Sequence, residues 1–232
     1  MKQLSALFFP ITLVVGAIGL HGCASVSQRA MVWEAQLGPV PETPITAEAL
    51  YREANVAIDL IPKGIYGRNN PRPLRARYIT IHSTQNYSGD AYAHAKALKR
   101  GKLRGGRRSG YLFWHYTVQD NVAIQHLPTN EAGEHADLDG PGNRNSIGIE
   151  MAEHRGNDIA QTIERTAKLT AWLAYTQGIP IKRVVPHYHW PREGYKPAHK
   201  NCPHFLLQNG KPRGTWRWFQ NRVRDHYERI QG

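Results

Sequence analysis

The sequence has few cysteines, few acidic residues and few long apolar runs, and each shortage excludes a class of protein. Its two cysteines, Cys23 and Cys202, cannot build the disulfide framework on which small secreted domains depend. Beyond the N-terminal segment no apolar run is long enough to span a bilayer, which excludes a polytopic membrane protein. Acidic residues number 18 against 30 basic ones, so the formal charge of +12 favours an anionic partner. The 232 residues, 41% of them hydrophobic, are enough for one ordinary globular domain.

The N-terminal segment has the layout of a secretory signal. A single charge at Lys2 precedes an apolar run over residues 4–20, and Cys23 follows after His21 and a glycine. This arrangement resembles the bacterial lipobox, in which the cysteine becomes the lipid-modified first residue of the mature protein. An ordinary signal peptide that contains a cysteine is the alternative. Ala24 after the cysteine is similar to the pattern that sorts lipoproteins to the outer membrane.

These features predict three segments and a location. We expect a lipoprotein signal peptide over residues 1–22, a proline-containing lipid-anchored tether over 23–46, and one domain over 47–232. The expected location is the periplasm of a Gram-negative bacterium, with the chain anchored through Cys23 in the inner leaflet of the outer membrane. Cys202 is then a lone thiol in an oxidising compartment, which is a hazard unless the thiol is buried, used or bound to a metal.

Past the tether, the chain alternates between strand and helix patterns. Strands are predicted over residues 78–82, 112–119, 122–127, 146–151 and 184–185, with Asp120-Asn121 as the tight turn of a hairpin. Helices are predicted from Thr46 to Ile58, over 90–99 with Ser88 as N-cap, over 159–177, and from Thr215 to Arg229. The sum is a single α/β domain in which helices flank a central mixed sheet.

A basic cluster occupies residues 96–108, which include seven Lys or Arg residues and no acidic one. The cluster either contacts phosphate groups of nucleic acid or lipid, or is a solvated helix end that runs into a loop. No aromatic residue follows before Tyr111, so a stacking platform for single-stranded nucleic acid is poorly supported. We favour the solvated helix end.

Three candidate metal ligands lie at or after predicted strand ends. His82 closes the strand 78–82, His187 follows the strand at 184–185, and Cys202 lies further along the chain. Strand ends of an α/β sheet meet at one rim, which would bring the three side chains together. Two imidazoles and a thiolate leave the fourth zinc position open, as catalytic sites do. Because the spacing matches no compact zinc finger, histidines without any metal remain the alternative from spacing alone.

Four sequence blocks resemble the zinc-dependent N-acetylmuramoyl-L-alanine amidases, a superfamily that includes the AmpD and AmiD enzymes and the peptidoglycan recognition proteins. The blocks are YITIHST at 78–84, WHYTV at 114–118, NSIGIEM at 145–151, and VVPH at 184–187 with KNCPHF at 200–205. With the lipobox, they are most similar to an AmiD-type outer-membrane lipoprotein. The resemblance covers residues 77–205 and implies hydrolysis of the bond between N-acetylmuramic acid and L-alanine in peptidoglycan or muropeptides.

The resemblance also implies roles for individual residues. The zinc ligands would be His82, His187 and Cys202, and the catalytic residues Glu150 and Lys200. The implied substrate-binding residues are His135, Trp114 and Asn145.

The match to this family has two departures at the metal site. The AmpD and AmiD branch usually has Asp where this chain has Cys202, a residue that instead matches the phage and recognition-protein pattern. The stretch between His187 and Cys202 is longer than usual, so His189 or His199 could compete for the metal.

The chemistry of amide hydrolysis fits these residues. One Zn²⁺ per chain would lower the pKa of a water and polarise the carbonyl group. Glu150 would move a proton from the water to the leaving nitrogen, and Lys200 would stabilise the oxyanion. In the strand 146–151 the isoleucines share one face, so Glu150 shares the other with Gly148, where a substrate chain could approach closely.

We therefore expect a monomeric zinc amidase with peptidoglycan, muropeptides and the membrane as partners, and no nucleic acid. The positive charge suits stem peptides, which carry carboxylates. A non-catalytic peptidoglycan-binding lipoprotein on the same fold is the first alternative, and the presence of Cys202, Lys200 and Glu150 argues against it. A nucleic-acid binder that uses the basic cluster is the second, and the secretory signal argues against that.

Overall fold

The computed structural model describes residues 27–105 and 110–231. Its α-helices are α1 (Gln28–Leu37), α2 (Ala47–Ala54), α3 (Ala91–Lys99), α4 (Pro141–Asn145), α5 (Ile159–Thr176) and α6 (Gly214–Glu228). Its strands are β1 (Val56–Ile58), β2 (Tyr78–Ser83), β3 (Tyr116–Val118), β4 (Ala123–Gln125), β5 (Ser146–Met151) and β6 (Val184–Pro186). The predicted signal peptide, Cys23 and residues 106–108 of the basic cluster lie outside the described residues. In the ranges that are described, no helix is both long and apolar enough to cross a membrane.

The strands form one sheet in the order β1-β4-β3-β5-β2-β6. β3 and β4 form the predicted antiparallel hairpin, and the other neighbouring strands are parallel. In the register of β2 with β5, His82 lies opposite Glu150. Because β2, β5 and β6 run in parallel, their carboxyl ends meet at one rim of the sheet. The predicted α/β fold, a mixed sheet flanked by helices, is confirmed.

Apolar and polar side chains alternate along the strands, which gives the sheet an apolar face and a polar face. The isoleucines of β2 and β5 are fully buried against α5 and its neighbours in the main core: Ile79, Ile81, Ile147 and Ile149. Burying one such side chain contributes roughly 2 kcal/mol, so this face holds the helices to the sheet. The side chains that alternate with the isoleucines, among them His82 and Glu150, point to the opposite face. That face is therefore the one left for a site.

The segment predicted to be a tether contains a helix that is packed on the domain. The hydroxyl of Ser27 caps α1 and contacts the hydroxyl of Thr215 in α6. Trp33 is only 9% exposed and belongs to the main core. Glu34 accepts a hydrogen bond of 2.7 Å from Trp218 Nε1. Residues 28–37 are therefore part of the domain and not of a tether, since α6 supplies an apolar site that the local sequence does not reveal.

Three helix boundaries also differ from the predictions. α3 begins after Asp90 instead of Ser88, because the Asp90 carboxylate caps the helix. The helix predicted to reach Ile58 ends before Asn55, which adopts a left-handed conformation with φ 51°, and the chain then enters β1. Thr215 is buried inside α6 and does not cap it.

Candidate metal centre

The rim at the carboxyl ends of β2 and β6 gathers the three predicted metal ligands. His82 is the second-last residue of β2, His187 directly follows β6, and Cys202 comes from the loop beyond it. The three side chains are buried, and their ligand atoms all lie within 4.8 Å of one another. Zinc bonds of about 2.1–2.3 Å in a tetrahedron separate ligand atoms by roughly 3.5 Å, so a small adjustment brings all three into bonding range.

Neither of the two competing histidines belongs to this group. The ring of His189 meets Trp190 edge-on with centroids 4.6 Å apart. The ring of His199 stacks on Tyr188 at 4.7 Å, and its Nδ1 lies 2.7 Å from the Tyr188 carbonyl oxygen. Both histidines are therefore engaged elsewhere.

Hydrogen bonds fix which nitrogen each ligand histidine turns to the metal position. His135 Nε2 lies 3.3 Å from the Ser146 carbonyl oxygen, to which it donates, so His135 Nδ1 is an acceptor. His82 Nε2 donates to that Nδ1 at 3.0 Å. His187 Nε2 donates to the Ala136 carbonyl oxygen at 2.9 Å. Both imidazoles thus keep Nδ1 unprotonated, and that of His82 lies 3.9 Å from Cys202 Sγ. Outer partners orient metal-binding histidines in this way.

The electrostatic environment keeps both imidazoles neutral. Burial lowers the pKa of His82 well below its ordinary value and lowers that of His187 to about 3. Burial also raises the pKa of the Cys202 thiol, and the charge of Glu150 adds to this effect. A cation at the ligands would favour the thiolate, and Ser83 N, which lies 3.3 Å from the sulfur, would donate to it. Two neutral imidazoles and one buried sulfur are a donor set that fits zinc.

Glu150 lies beside the metal position with an unused oxygen. Its Oε1 is 3.7 Å from His82 Nδ1. Its Oε2 is buried and has no hydrogen-bond partner within the described ranges of the chain. Burial raises the pKa of Glu150 to about 8, although the positive charge of Lys200 lowers it in part. The carboxylate is therefore placed to exchange a proton with a molecule at the metal position.

An open cleft of about 370 Å³ lies over the ligands and Glu150. Lys200 is exposed and lines the cleft, and its role in stabilising an oxyanion stays a prediction. Trp114 lines it as well, with its Nε1 donating to Thr117 Oγ1 at 2.8 Å. The cleft thus brings together all the predicted metal and catalytic residues.

Two of the predicted substrate-binding residues have other surroundings. His135 reaches the cleft, but it is only 8% exposed and both its ring nitrogens are occupied, by His82 and Ser146. Asn145 precedes β5, and its amide donates to the Pro141 carbonyl oxygen at 2.9 Å. At about 3.3 Å per residue, the length of β5 separates Asn145 from the rim by roughly 16 Å. Asn145 is therefore not among the described residues that line the cleft, and its role in substrate binding stays a prediction.

The structure also gives Gly148 a role other than the predicted one, which was to let a substrate chain approach closely. A Cβ atom at this position would lie 2.7 Å from the ring of His135. The absent side chain therefore makes room for His135 beneath the ligand His82.

Sequence reasoning missed several residues of the cleft wall. Glu134 lines the cleft and pairs with Arg72 at 3.1 Å. Lys102 and Arg104 also line it, although the basic cluster was interpreted as a solvated helix end. The nearest signal in the sequence is the pair Leu103 and Leu112, whose apolar side chains predict contact with the domain.

Comparisons with known proteins agree with this geometry. Residues 71–205 match the family model described as N-acetylmuramoyl-L-alanine amidase. The chain is 37% identical to the N-acetylmuramoyl-L-alanine amidase XlyA of Bacillus subtilis (strain 168) over 172 residues, which are 72% of this chain and 50% of that protein. It is 36% identical to the amidase CwlH of the same organism over 162 residues, 67% of this chain and 57% of that one. The chain thus matches about half the length of these curated relatives.

Solved structures extend the likeness to three dimensions. The catalytic domain of XlyA aligns with a TM-score of 0.60 at 37% identity, over 73% of this chain and 99% of that domain. The hydrolase AmiA of Staphylococcus aureus, crystallised with its ligand, shares the fold with a TM-score of 0.58 at 15% identity. Since the family model covers more than half of the 232 residues, the chain belongs to the N-acetylmuramoyl-L-alanine amidase family.

Proposed function

We propose that the protein is a zinc-dependent N-acetylmuramoyl-L-alanine amidase. It would hydrolyse the amide bond between the lactyl group of N-acetylmuramic acid and L-alanine in peptidoglycan or muropeptides. The observation that carries the proposal is the buried Oε2 of Glu150, which has no hydrogen-bond partner among the residues that the structure describes, beside three clustered ligand atoms. The amidases XlyA and CwlH, which are related to this chain, support it.

The residues of the cleft divide the work of amide hydrolysis between them. His82, His187 and Cys202 would hold zinc, which when bound supplies a Lewis acid that lowers the pKa of water and polarises a carbonyl. Glu150 accepts the proton of the attacking water and passes it to the leaving nitrogen. Lys200, exposed at the cleft, stabilises the negative charge that develops on the carbonyl oxygen.

The proposal is tested with residues 24–232 purified alongside the Cys202→Ser and Glu150→Gln variants. We expect one zinc per chain in the wild type, and release of stem peptides from purified peptidoglycan that a chelator abolishes. Cys202→Ser removes a ligand and lowers both zinc content and release. Glu150→Gln retains zinc and lowers release by at least about 100-fold, the usual contribution of a general base.

Each outcome of that test separates the competing functions. Zinc bound without release by the wild type would indicate a non-catalytic peptidoglycan-binding protein. A wild type that binds no zinc would contradict the metal site itself.

We further propose that the protein is an AmiD-type lipoprotein of the outer membrane, facing the periplasm, and that it acts as a monomer without nucleic acid. This rests on the apolar run over residues 4–20 and on Cys23 after it. Expressed from its full gene, the wild type should enter the membrane fraction and Cys23→Ser should not. Sedimentation of the soluble domain measures its mass, and a monomer mass is expected.

A further inference from the structure

One wall of the cleft includes residues 102–104 and 112, and the described segments 102–105 and 110–112 are here called the basic arm. Its two sides pair in antiparallel fashion at Arg104 and Tyr111. Leu112 N donates to the Leu103 carbonyl oxygen at 2.9 Å. Both leucines pack against a small apolar cluster that includes Trp114. The described part of the arm is therefore fixed to the domain.

Aromatic contacts hold Arg104 in place. Its guanidinium lies over the ring of Tyr111, 4.0 Å from the centroid. The ring of Tyr111 meets that of Tyr66 edge-on at 5.6 Å. Gly101, with φ 58°, approaches both tyrosines so closely that a Cβ atom would lie within 2.8 Å of each ring. Arg104 is thus oriented before any ligand arrives, which reduces the entropy lost on binding.

The charges of the basic cluster differ in their pairing. Lys99 forms an ion pair with both oxygens of Asp59, at 2.7 and 2.8 Å. Lys102 and Arg104 have no carboxylate within 4.0 Å among the residues that the structure describes. Both line the cleft that holds the metal ligands. Within the described ranges, two cations therefore line the cleft without a paired carboxylate.

We propose that Lys102 and Arg104 form a subsite for a carboxylate of the peptide part of the substrate. This inference rests on the proposed function, in which the substrate is a stem peptide that is joined through its amino end to the scissile amide and carries carboxylates. The planar guanidinium of Arg104 suits a carboxylate, and Lys102 adds a second charge. Leu103 and Leu112 line the same cleft and offer apolar contact to peptide side chains. Nucleic acid fits less well, since Arg104 covers the ring of Tyr111 on which a base would stack.

The test combines a change in the enzyme with a matching change in the substrate. The variant is Lys102→Ala/Arg104→Ala. The matched control is Lys96→Ala/Arg100→Ala, which removes the same charge from exposed residues that do not line the cleft. The substrates are a synthetic muramoyl peptide with free carboxylates and the same peptide with every carboxylate converted to a carboxamide.

We expect the carboxylate substrate to have a KM about tenfold lower than the carboxamide substrate for the wild type and the control. The cleft variant should raise KM for the carboxylate substrate about tenfold, with zinc content and kcat unchanged. It should leave KM for the carboxamide substrate as it is. Equal losses on both substrates, or no loss on either, would overturn the subsite.

A binding measurement separates this inference from the proposed function. Calorimetry with zinc-loaded Glu150→Gln, with and without the two alanine substitutions, measures affinity for both peptides without turnover. Carboxylate-dependent binding that the substitutions remove would support the subsite even if the wild type cleaved nothing. If the substitutions instead weaken only the binding of anionic phospholipid vesicles, the arm is a membrane contact and the peptide subsite is wrong.

Discussion

The hydrogen bond from His82 to His135 determines which nitrogen of His82 faces the metal position. Both rings are buried, so the bond is shielded from competing water. Removing it leaves an unsatisfied His82 Nε2 and a ring free to turn. We expect His135→Leu to lower zinc affinity about 10–100-fold, measured by competition with a chromogenic chelator.

Two further variants make that measurement specific. His135→Asn places an amide oxygen near the lost Nδ1 and should restore part of the affinity. His189→Asn, at an exposed position outside the ligand group, should leave affinity unchanged. Wild-type affinity in His135→Leu would show that the bond does not position the ligand.

Gly148 allows a second test at the residue scale. The side chain of Gly148→Ala would collide with the His135 ring, so we expect weaker zinc binding and a loss of stability of about 1–3 kcal/mol. Chelator competition and urea unfolding measure the two effects. A variant with normal zinc affinity and stability but raised KM would instead support close approach of substrate at this glycine.

At the scale of elements, the contact of α5 with α6 contains a buried ion pair cluster. His226 Nε2 lies 2.9 Å from Glu164 Oε1, and Arg222 Nε donates to the other oxygen of Glu164. Burial alone would raise the pKa of Glu164, but the hydrogen bonds and charges of His226 and Arg222 outweigh it and lower the pKa to about 2. Because this value lies below the ordinary 4.5, the cluster stabilises the fold above about pH 4.5, and this contribution is lost as pH falls towards 2.

The free energy of unfolding of Glu164→Gln should therefore depend on pH. At pH 7 we expect it to be about 3 kcal/mol below that of the wild type, and the difference should shrink at pH 3. Glu228→Gln, an exposed change at the end of the same helix pair, should have little effect at either pH. A constant difference between pH 7 and pH 3 would mean that Glu164 acts through packing and not through charge.

α1 gives a second prediction at this scale. Trp33→Ala removes a core side chain and should lower the free energy of unfolding by about 3 kcal/mol in urea titrations. Met31→Ala, two residues away in the same helix at a residue that is 54% exposed, should change it by less than about 0.5 kcal/mol. If both variants unfolded like the wild type, α1 would not be part of the folded unit.

At the scale of the whole molecule, metal binding and stability are linked. A ligand that binds only the folded chain stabilises it by about 4 kcal/mol when present at a thousand times its Kd. We expect a chelator to lower the Tm of the wild type, and added zinc to restore it. Cys202→Ser should show a much smaller shift in Tm between chelator and zinc. An identical shift in the variant would exclude Cys202 as a ligand.

Local patterns predict a large part of this fold. The alternating β-branched residues of β2 and β5 and the apolar spacing of α5 locate these elements to within about a residue. α1 could not be predicted, because the rings that bury Trp33, those of Phe205 and Trp218, come from far along the chain. The start of α3 was predicted two residues too early, because Ser88 and Asp90 can both cap a helix and the sequence does not decide between them.

For the candidate site, the ligand positions could be predicted from the sequence, but several contacts around them could not. The ligands follow from strand ends and from the family motifs, since parallel strands place their carboxyl ends together. The same rule places Asn145, which directly precedes β5, at the opposite end of the strand from the rim. The family motif nevertheless implies that this residue binds substrate. The partners of His135 and the placing of Arg104 in the cleft depend on loops, whose course no local pattern specifies.

If the chain is anchored through Cys23 as proposed, the docking of α1 limits how far the cleft can lie from the membrane. If Cys23 carries the lipid, only three residues separate it from Ser27, the N-cap of α1. Even a fully stretched chain would span no more than about 14 Å over that interval. A domain of this size is roughly 40 Å across, so its cleft would stay within some 50–60 Å of the bilayer. The anchored protein would then reach only the cell-wall strands that lie within this distance of the membrane.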